Sequence, residues 1–357
     1  MRVVHLSLHR DPAGRRARDL LAAWPTLAEH APAIARAGVH VEVLHAGAHD
    51  ETVEHGGVRY VFDRSSRVLR QRLRRAQADV VHAHGLIHAV RLWSMRRGLG
   101  HTPFLVQDHG ARPITGIRAW LWRHALAGAA VAFTTAEQAA AYGRGGALRP
   151  DQRVFAVPEA SSTFTPGDRA AARRRTGITG HPAALWLGRL DANKDPFTIL
   201  DAVARASTLV PTLALWMAWT SGALEGAVRR RVADDPRLAD RVHLLGRLPH
   251  ADVEPWLRAA DVLVQGSHHE SGGYAVIEAL ACGTPVIVSD IPSFRALTGA
   301  GAVGRLIRVD DARGFAEALM EGPRVTREAV RAHFDAHLAW DVIGRQWRAC
   351  YQQMAAQ

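Results

Sequence analysis

The 357-residue chain has two cysteines, Cys282 and Cys350, far apart and without metal-type spacing. That scarcity argues against a disulfide framework or a structural zinc site and fits a reducing cytoplasm. Long apolar runs are lacking too. Met1-Arg2-Val3-Val4-His5-Leu6 meets polar and charged residues too soon for a signal peptide. The most apolar later segment, Leu209 to Trp219, contains Pro211 and Thr212 and is too short to cross a bilayer; it is expected to form a buried strand. No tandem repeat or low-complexity tract is present. Lysine is almost absent: Lys194 stands alone in a chain whose other Lys/Arg-type side chains are all arginine. A residue type avoided elsewhere points to a position where arginine would not serve.

What is present describes a folded protein of ordinary composition. Hydrophobic residues make up 48% and charged residues 22%, and the length exceeds what one core usually supports, so two domains are expected. The net charge of +11 would attract a polyanion: nucleic acid, an anionic membrane surface or a phosphorylated substrate. Nucleic acid is disfavoured, because the arginines lie in scattered helical patches and no nucleic-acid-binding module is visible.

Short apolar runs alternate with helical patterns, at Val3 to Leu6, Val39 to Leu44, Val80 to His82, Phe104 to Gln107 and Val131 to Thr134. This alternation marks a parallel sheet covered by helices. After the Pro-, Ser- and Thr-containing stretch Pro158 to Gly167 it restarts, at Ala184 to Leu187, Leu213 to Met217, Val242 to Leu245, Val262 to Val264 and Pro285 to Val288. The expected division is 1–160, 161–335 and a last helix within 336–357 carrying Leu338, Val342, Trp347 and Tyr351. Open α/β sheets bind ligands at the carboxyl ends of their strands, so chemistry is expected on loops that follow strands, in a cleft where two such domains face each other.

The strongest pattern follows the strand at Val262: Gln265-Gly266-Ser267-His268-His269-Glu270-Ser271-Gly272-Gly273-Tyr274-Ala275-Val276-Ile277-Glu278-Ala279-Leu280, then Ala281-Cys282-Gly283-Thr284-Pro285-Val286. Amides at Gly273 and Tyr274 would open a helix whose amino end favours a diphosphate, and Glu278, two turns in, could accept both hydroxyls of a ribose. A second pattern, Leu187-Gly188-Arg189-Leu190-Asp191-Ala192-Asn193-Lys194-Asp195-Pro196, places a planar fork and a point charge on one loop, a pairing suited to a departing diphosphate. In the first half, Asp79-Val80-Val81-His82-Ala83-His84-Gly85 puts two histidines on one strand face, without a third metal ligand at a recognisable spacing. Gln107-Asp108-His109-Gly110 follows another strand.

Two glutamates separated by seven residues, followed by E-A-x-A-x-G-x-P-V, resemble the family-four retaining glycosyltransferases of the GT-B fold. The resemblance implies two Rossmann-like domains, with the last helix crossing back onto the first. It implies that Glu270 contacts the donor sugar, Glu278 the ribose, and the amides of Ser271, Gly272, Gly273 and Tyr274 the phosphates. Arg189 and Lys194 resemble the family's phosphate-binding G-R-L…K element, and Gly246-Arg247-Leu248-Pro249 the loop framing the base. His109 matches a histidine close to the reacting anomeric carbon. His82 and His84 match a strand-end element with a structural or acceptor-side role. The implied activity is transfer of a sugar from a nucleoside diphosphate sugar to an acceptor (glycan, lipid-linked sugar or small molecule), with no cofactor and no metal. A GT-B epimerase and a non-catalytic nucleotide-sugar binder are the competing readings.

Relatives often carry a Gly-Gly pair after the first strand. Here that loop reads Leu8-His9-Arg10-Asp11-Pro12-Ala13-Gly14-Arg15-Arg16, and its arginines are candidate substitutes for the missing amides. Finally, Arg64, Arg67, Arg70, Arg72, Arg74 and Arg75 crowd one expected helix with Val68, Leu69, Leu73 and Ala76, which suggests peripheral contact with an anionic inner membrane face.

Overall fold

The computed structural model describes residues 1–110 and 112–356. The chain forms two compact units, Met1–Ser161 with Trp340–Gln357, and Ser162–Ala339. The boundaries expected from sequence thus move by one residue at the first junction and by four at the second.

The first unit runs β1 (Arg2–Ser7), α1 (Ala17–Ala23), α2 (Pro25–Arg36), β2 (His40–Ala46), β3 (Glu51–His55), β4 (Val58–Asp63), α3 (Ser66–Arg75), β5 (Val80–His84), a 3-10 turn (Leu86–His88), α4 (Ala89–Arg96), β6 (Phe104–Gln107), α5 (Gly116–Ala125), β7 (Ala130–Phe133), α6 (Ala136–Arg144) and β8 (Val154–Ala156). Its sheet has the order β3-β4-β2-β1-β5-β6-β7-β8, and only the β3–β4 pairing is antiparallel. Local chemistry fixes several boundaries. Pro25 opens α2 at a position where a missing N–H costs nothing. A reciprocal capping box between Thr135 and Gln138 opens α6.

The second unit runs α7 (Arg169–Thr176), β9 (Ala183–Gly188), α8 (Pro196–Ala206), β10 (Ala214–Trp219), α9 (Glu225–Asp234), α10 (Pro236–Ala239), β11 (Val242–Gly246), α11 (His250–Ala259), β12 (Val262–Gln265), α12 (Tyr274–Ala281), β13 (Val286–Ser289), α13 (Pro292–Leu297), β14 (Gly304–Ile307), α14 (Ala312–Glu321) and α15 (Arg327–His337). Its sheet is wholly parallel in the order β11-β10-β9-β12-β13-β14. That is the doubly wound order, with its reversal between β9 and β12. Strands buried on both faces, such as Ala183–Leu187, supply the core with Trp186 at its centre.

The last helix, α16 (Trp340–Ala355), joins the first unit. It begins four residues later than the sequence suggested, because α15 continues through Ala336 and His337 and the chain breaks at Leu338–Ala339. Its buried face is Trp340, Ile343, Gly344, Trp347, Cys350, Tyr351 and Met354, a helical stripe packed against α2. Val342 is only half-buried. At the crossing a Cβ on Gly344 would lie 2.2 Å from the Ala33 carbonyl oxygen, so only glycine permits this approach.

Three expectations are corrected. The β3–β4 hairpin, β8 and β14 were not anticipated. The buried strand begins at Ala214, and Leu209 is exposed before it. The face of α3 that carries Leu69 and Leu73 is used up in the core, so its arginines have no apolar anchor of their own. Among the described residues no helix is long and apolar enough to cross a membrane.

Candidate active site

In the second unit β9 and β12 are direct neighbours, so the loops leaving their carboxyl ends emerge side by side at the reversal of strand order. The two strongest sequence patterns occupy these loops. They are laced together: the His268 backbone N–H donates to the Asn193 carbonyl at 2.8 Å, and Asn193 Nδ2 donates to the His269 carbonyl at 3.0 Å. This brings Lys194 onto Glu270, with Nζ donating to Oε1. Both side chains are largely shielded, 18% and 12% exposed. Shielding strengthens a charge-assisted hydrogen bond and makes loss of either partner costly.

Arg189 is more open, 59% exposed, and pairs with Asp191 at 3.0 Å. Asp191 also accepts from the Lys194 backbone N–H, so one carboxylate shapes the loop that carries both cations. Asp195 begins α8 in a left-handed conformation, φ 40°, with its side chain accepting from the Thr198 N–H. His268 lies 3.0 Å from Asp310 and 3.5 Å from Asp195, which tethers the glycine-rich loop to two acidic residues.

Gly273, at φ 65°, caps the amino end of α12. A Cβ there would meet Leu297 and Phe294 at 3.0 Å, so conformation and packing both demand glycine. Ser271 is half-buried, Gly272 buried and Tyr274 46% exposed. Glu278 is the fifth residue of α12, about one turn in rather than two. It accepts from His250 Nε2 at 2.7 Å. That hydrogen bond raises the His250 pKa above its usual value, and the imidazole stacks on Phe164 at 5.1 Å. Arg247 is exposed and makes no ion pair among the described residues.

In the first unit, parallel register places His5 opposite His82 and Ser7 opposite His84, so β1 and β5 bring three histidines together. The sequence offered His82 and His84 no third metal-type ligand; the structure adds His5, with ring nitrogens of all three within 4.8 Å of one another. Five of their six ring nitrogens are engaged in hydrogen bonds, while His82 Nε2 is buried without a partner among the described residues. His84 Nε2 meets His5 Nδ1 at 3.0 Å, His84 Nδ1 meets His109 Nε2 at 3.1 Å, and the Tyr351 hydroxyl meets His5 Nε2 at 3.2 Å and His82 Nδ1 at 2.6 Å. Burial holds His5, His82 and His84 below the usual imidazole range, hence neutral.

His109 is different. Burial pulls its pKa down, but the Glu159 carboxylate, accepting from Nδ1 at 2.7 Å, more than offsets this and the net shift is upward. A raised folded pKa stabilises the fold fully below the ordinary histidine value and loses that contribution as pH rises through the raised one. Glu159→Gln is therefore expected to lower the His109 titration midpoint, followed by NMR of the ring protons, and to remove that part of the pH dependence of stability. An unmoved midpoint would show that Glu159 does not control the ring. The arginines proposed to substitute for the missing glycine pair are engaged elsewhere: Arg10 on the Arg64 carbonyl, Arg15 on Asp11 and Arg16 on Glu51.

Residues 168–322, all within the second unit, match the family described as Glycosyl transferases group 1. The second unit is a group 1 glycosyl transferase domain. D-inositol 3-phosphate glycosyltransferase of Stackebrandtia nassauensis is 32% identical over 217 residues, 55% of this chain and 48% of that protein. The Thermobifida fusca protein of the same name is 34% identical over 194 residues, 50% and 44% of the two chains. The chain thus spans about half the length of the curated relatives it matches. Among solved structures, sucrose-phosphate synthase from Thermosynechococcus elongatus superposes with a TM-score of 0.72 at 22% identity over 99% of both chains. Anabaena HepE in complex with UDP gives 0.74 at 16% identity over 99% of this chain and 100% of its own. The group 1 domain is therefore part of a GT-B fold.

Proposed function

We propose that the protein is a retaining glycosyltransferase that moves a sugar from a nucleoside diphosphate sugar to a hydroxyl acceptor. The observation that carries this reading is the Lys194–Glu270 pair, assembled from two laced loops beside Arg189 and the amino end of α12. Negative charge grows on the diphosphate as the glycosidic bond breaks, and fixed cations with a helix amino end stabilise it most at that moment. Lys194 and Arg189 take the departing phosphates, with Ser271, Gly272, Gly273 and Tyr274 beside them, so no divalent cation is required. Glu270 orients the donor sugar and holds the lysine in place. Glu278 takes the ribose, with Arg247 and the His250–Phe164 stack framing the base. His109 belongs to the catalytic set as a stabiliser of the cationic transition state.

The acceptor is a glycan, a lipid-linked sugar or a small molecule, and the enzyme works in the cytoplasm, peripherally at the inner membrane face. UDP, the nucleotide held by the HepE neighbour, is the first donor base to test. Product formation from a panel of nucleotide sugars separates the readings: a transferase needs an acceptor, an epimerase converts the free donor, and a binder does neither. Glu278→Ala is expected to weaken nucleoside diphosphate binding about ten- to a hundredfold, the loss of charge-assisted hydrogen bonds. Calorimetric titration reads this directly, and unchanged affinity would remove the ribose assignment.

A further inference from the structure

Helices α4 and α5 are apolar on two faces. Leu92 and Met95 of α4 and Trp122 of α5 fill the core, as that side of a surface helix should. The opposite side should be polar throughout, yet beside the exposed Arg91, Arg118 and His124 it carries large apolar side chains. Ile87, Val90 and Trp93 recur at intervals of three along the 3-10 turn and α4, and are 67%, 52% and 41% exposed. Ile117, Trp120 and Leu121 follow helical spacing on α5 and are 75%, 56% and 42% exposed. Six of the ten large hydrophobic side chains exposed on the described chain thus fall on two neighbouring helices and the 3-10 turn that leads into the first of them.

The flanking segments are strongly cationic, with Arg64 alone among their arginines ion-paired within the described residues, to Asp50. Residues 64–78, 86–103 and 112–129 contain twelve arginines and no aspartate or glutamate. Helix α3 is bound to α4 through Arg70 to Ser94 at 2.9 Å, Arg74 to the Arg97 carbonyl at 2.7 Å and Arg91 to Ser66 at 3.3 Å, so its basic side chains flank the apolar face. Arg97 lies over the Trp93 ring at 3.9 Å. Aliphatic and indole side chains rimmed by arginine match the chemistry of an interfacial surface that enters the headgroup layer of an anionic bilayer.

We infer that the exposed face of α4 and α5, flanked by the arginines of α3, docks the protein on an anionic lipid bilayer. The inference rests on the peripheral placement proposed above and is independent of the transfer reaction. It moves the contact from α3, whose apolar stripe is buried, to its two neighbours. Charge complementarity selects the occupant, since a second copy of this chain would bring the same excess of arginine against itself.

Flotation of the full chain with vesicles of phosphatidylcholine and 30% phosphatidylglycerol, at low salt, tests it. The wild type is expected to co-float, to release as salt rises, and to remain behind with pure phosphatidylcholine. Ile117→Glu with Trp120→Glu is expected to lower the vesicle-bound fraction at least tenfold while melting temperature and nucleotide binding stay as in the wild type. Arg72→Glu with Arg75→Glu should shift the salt dependence in the same direction. If the wild type fails to float, the peripheral placement falls with the inference. If it floats and the α5 variant floats equally, only the assignment of this face is overturned. Concentration-dependent dimers that the α5 variant abolishes, without vesicle binding by the wild type, would assign the face to a second copy instead.

Discussion

Lys194→Ala is expected to lower turnover by about a hundred- to a thousandfold, roughly 3 to 4 kcal/mol of transition-state stabilisation, the usual cost of one preorganised charge donor. The effect on acceptor affinity should be much smaller. Two consequences follow from its pairing with Glu270. Lys194→Arg should recover only part of the loss, because a broad planar guanidinium does not fit where a compact ammonium donates to a carboxylate 12% exposed. Glu270→Gln should lower turnover by itself, and combining it with Lys194→Ala should cost less than the two losses added, since groups in contact act as one unit. Initial rates with and without chelator, and with added magnesium or manganese, complete the test. Strict metal dependence, or near wild-type turnover in Lys194→Ala, would refute the leaving-group role.

Gly344→Ala is expected to destabilise the first unit by about 2 to 3 kcal/mol, within the range of overpacked cores. By propensity alone the change should stabilise: glycine within a helix costs about 0.5 to 1 kcal/mol relative to alanine. Contact reverses the sign. The added methyl would lie 2.2 Å from the Ala33 carbonyl oxygen and 2.7 Å from its carbon, and neither backbone atom can rotate away. Helix α16 must then lift from α2, loosening Ile343, Trp347 and Tyr351 in the core they share with Ile34 and Val3. For a unit of this size the loss corresponds to a fall of roughly 5 to 10 °C in melting temperature. Scanning calorimetry decides it, and an unchanged or higher transition would show that the crossing has room to spare.

Strands buried on both faces were legible in the sequence because each is an uninterrupted apolar run, as at Ala184 to Leu187 and Val262 to Val264. Glu51-Thr52-Val53-Glu54-His55 was not, because an edge strand has one wet face and few apolar residues. Gly304-Arg305-Leu306-Ile307 escaped for a related reason: only Ile307 is buried. The loops at the candidate site were legible because a diphosphate-binding turn is written in consecutive residues. Their partners were not. His250 reaches Glu278 from α11, Glu159 reaches His109 from 50 residues away, and His5 reaches His84 only because β1 and β5 pair in parallel. Contacts of that kind depend on strand order, which no local spacing encodes.

The row running Glu159, His109, His84, His5, Tyr351, His82 has a direction. The carboxylate can only accept, so His109 Nδ1 carries a hydrogen. With His109 neutral, its Nε2 accepts from His84, His84 accepts from His5, His5 accepts the Tyr351 hydroxyl, and the phenol oxygen accepts from His82. Burial keeps Tyr351 protonated, as this order requires. Adding one proton to His109 turns its Nε2 into a donor, so the links through His84 and His5 must reverse, because a mixed arrangement of neutral imidazoles sets two hydrogens or two lone pairs face to face; the Tyr351 oxygen then accepts from His5 and its own hydrogen turns away from that ring. The row therefore behaves as a two-position register set at one end, and the ionisation of a single half-exposed imidazole is written into the last helix of the chain.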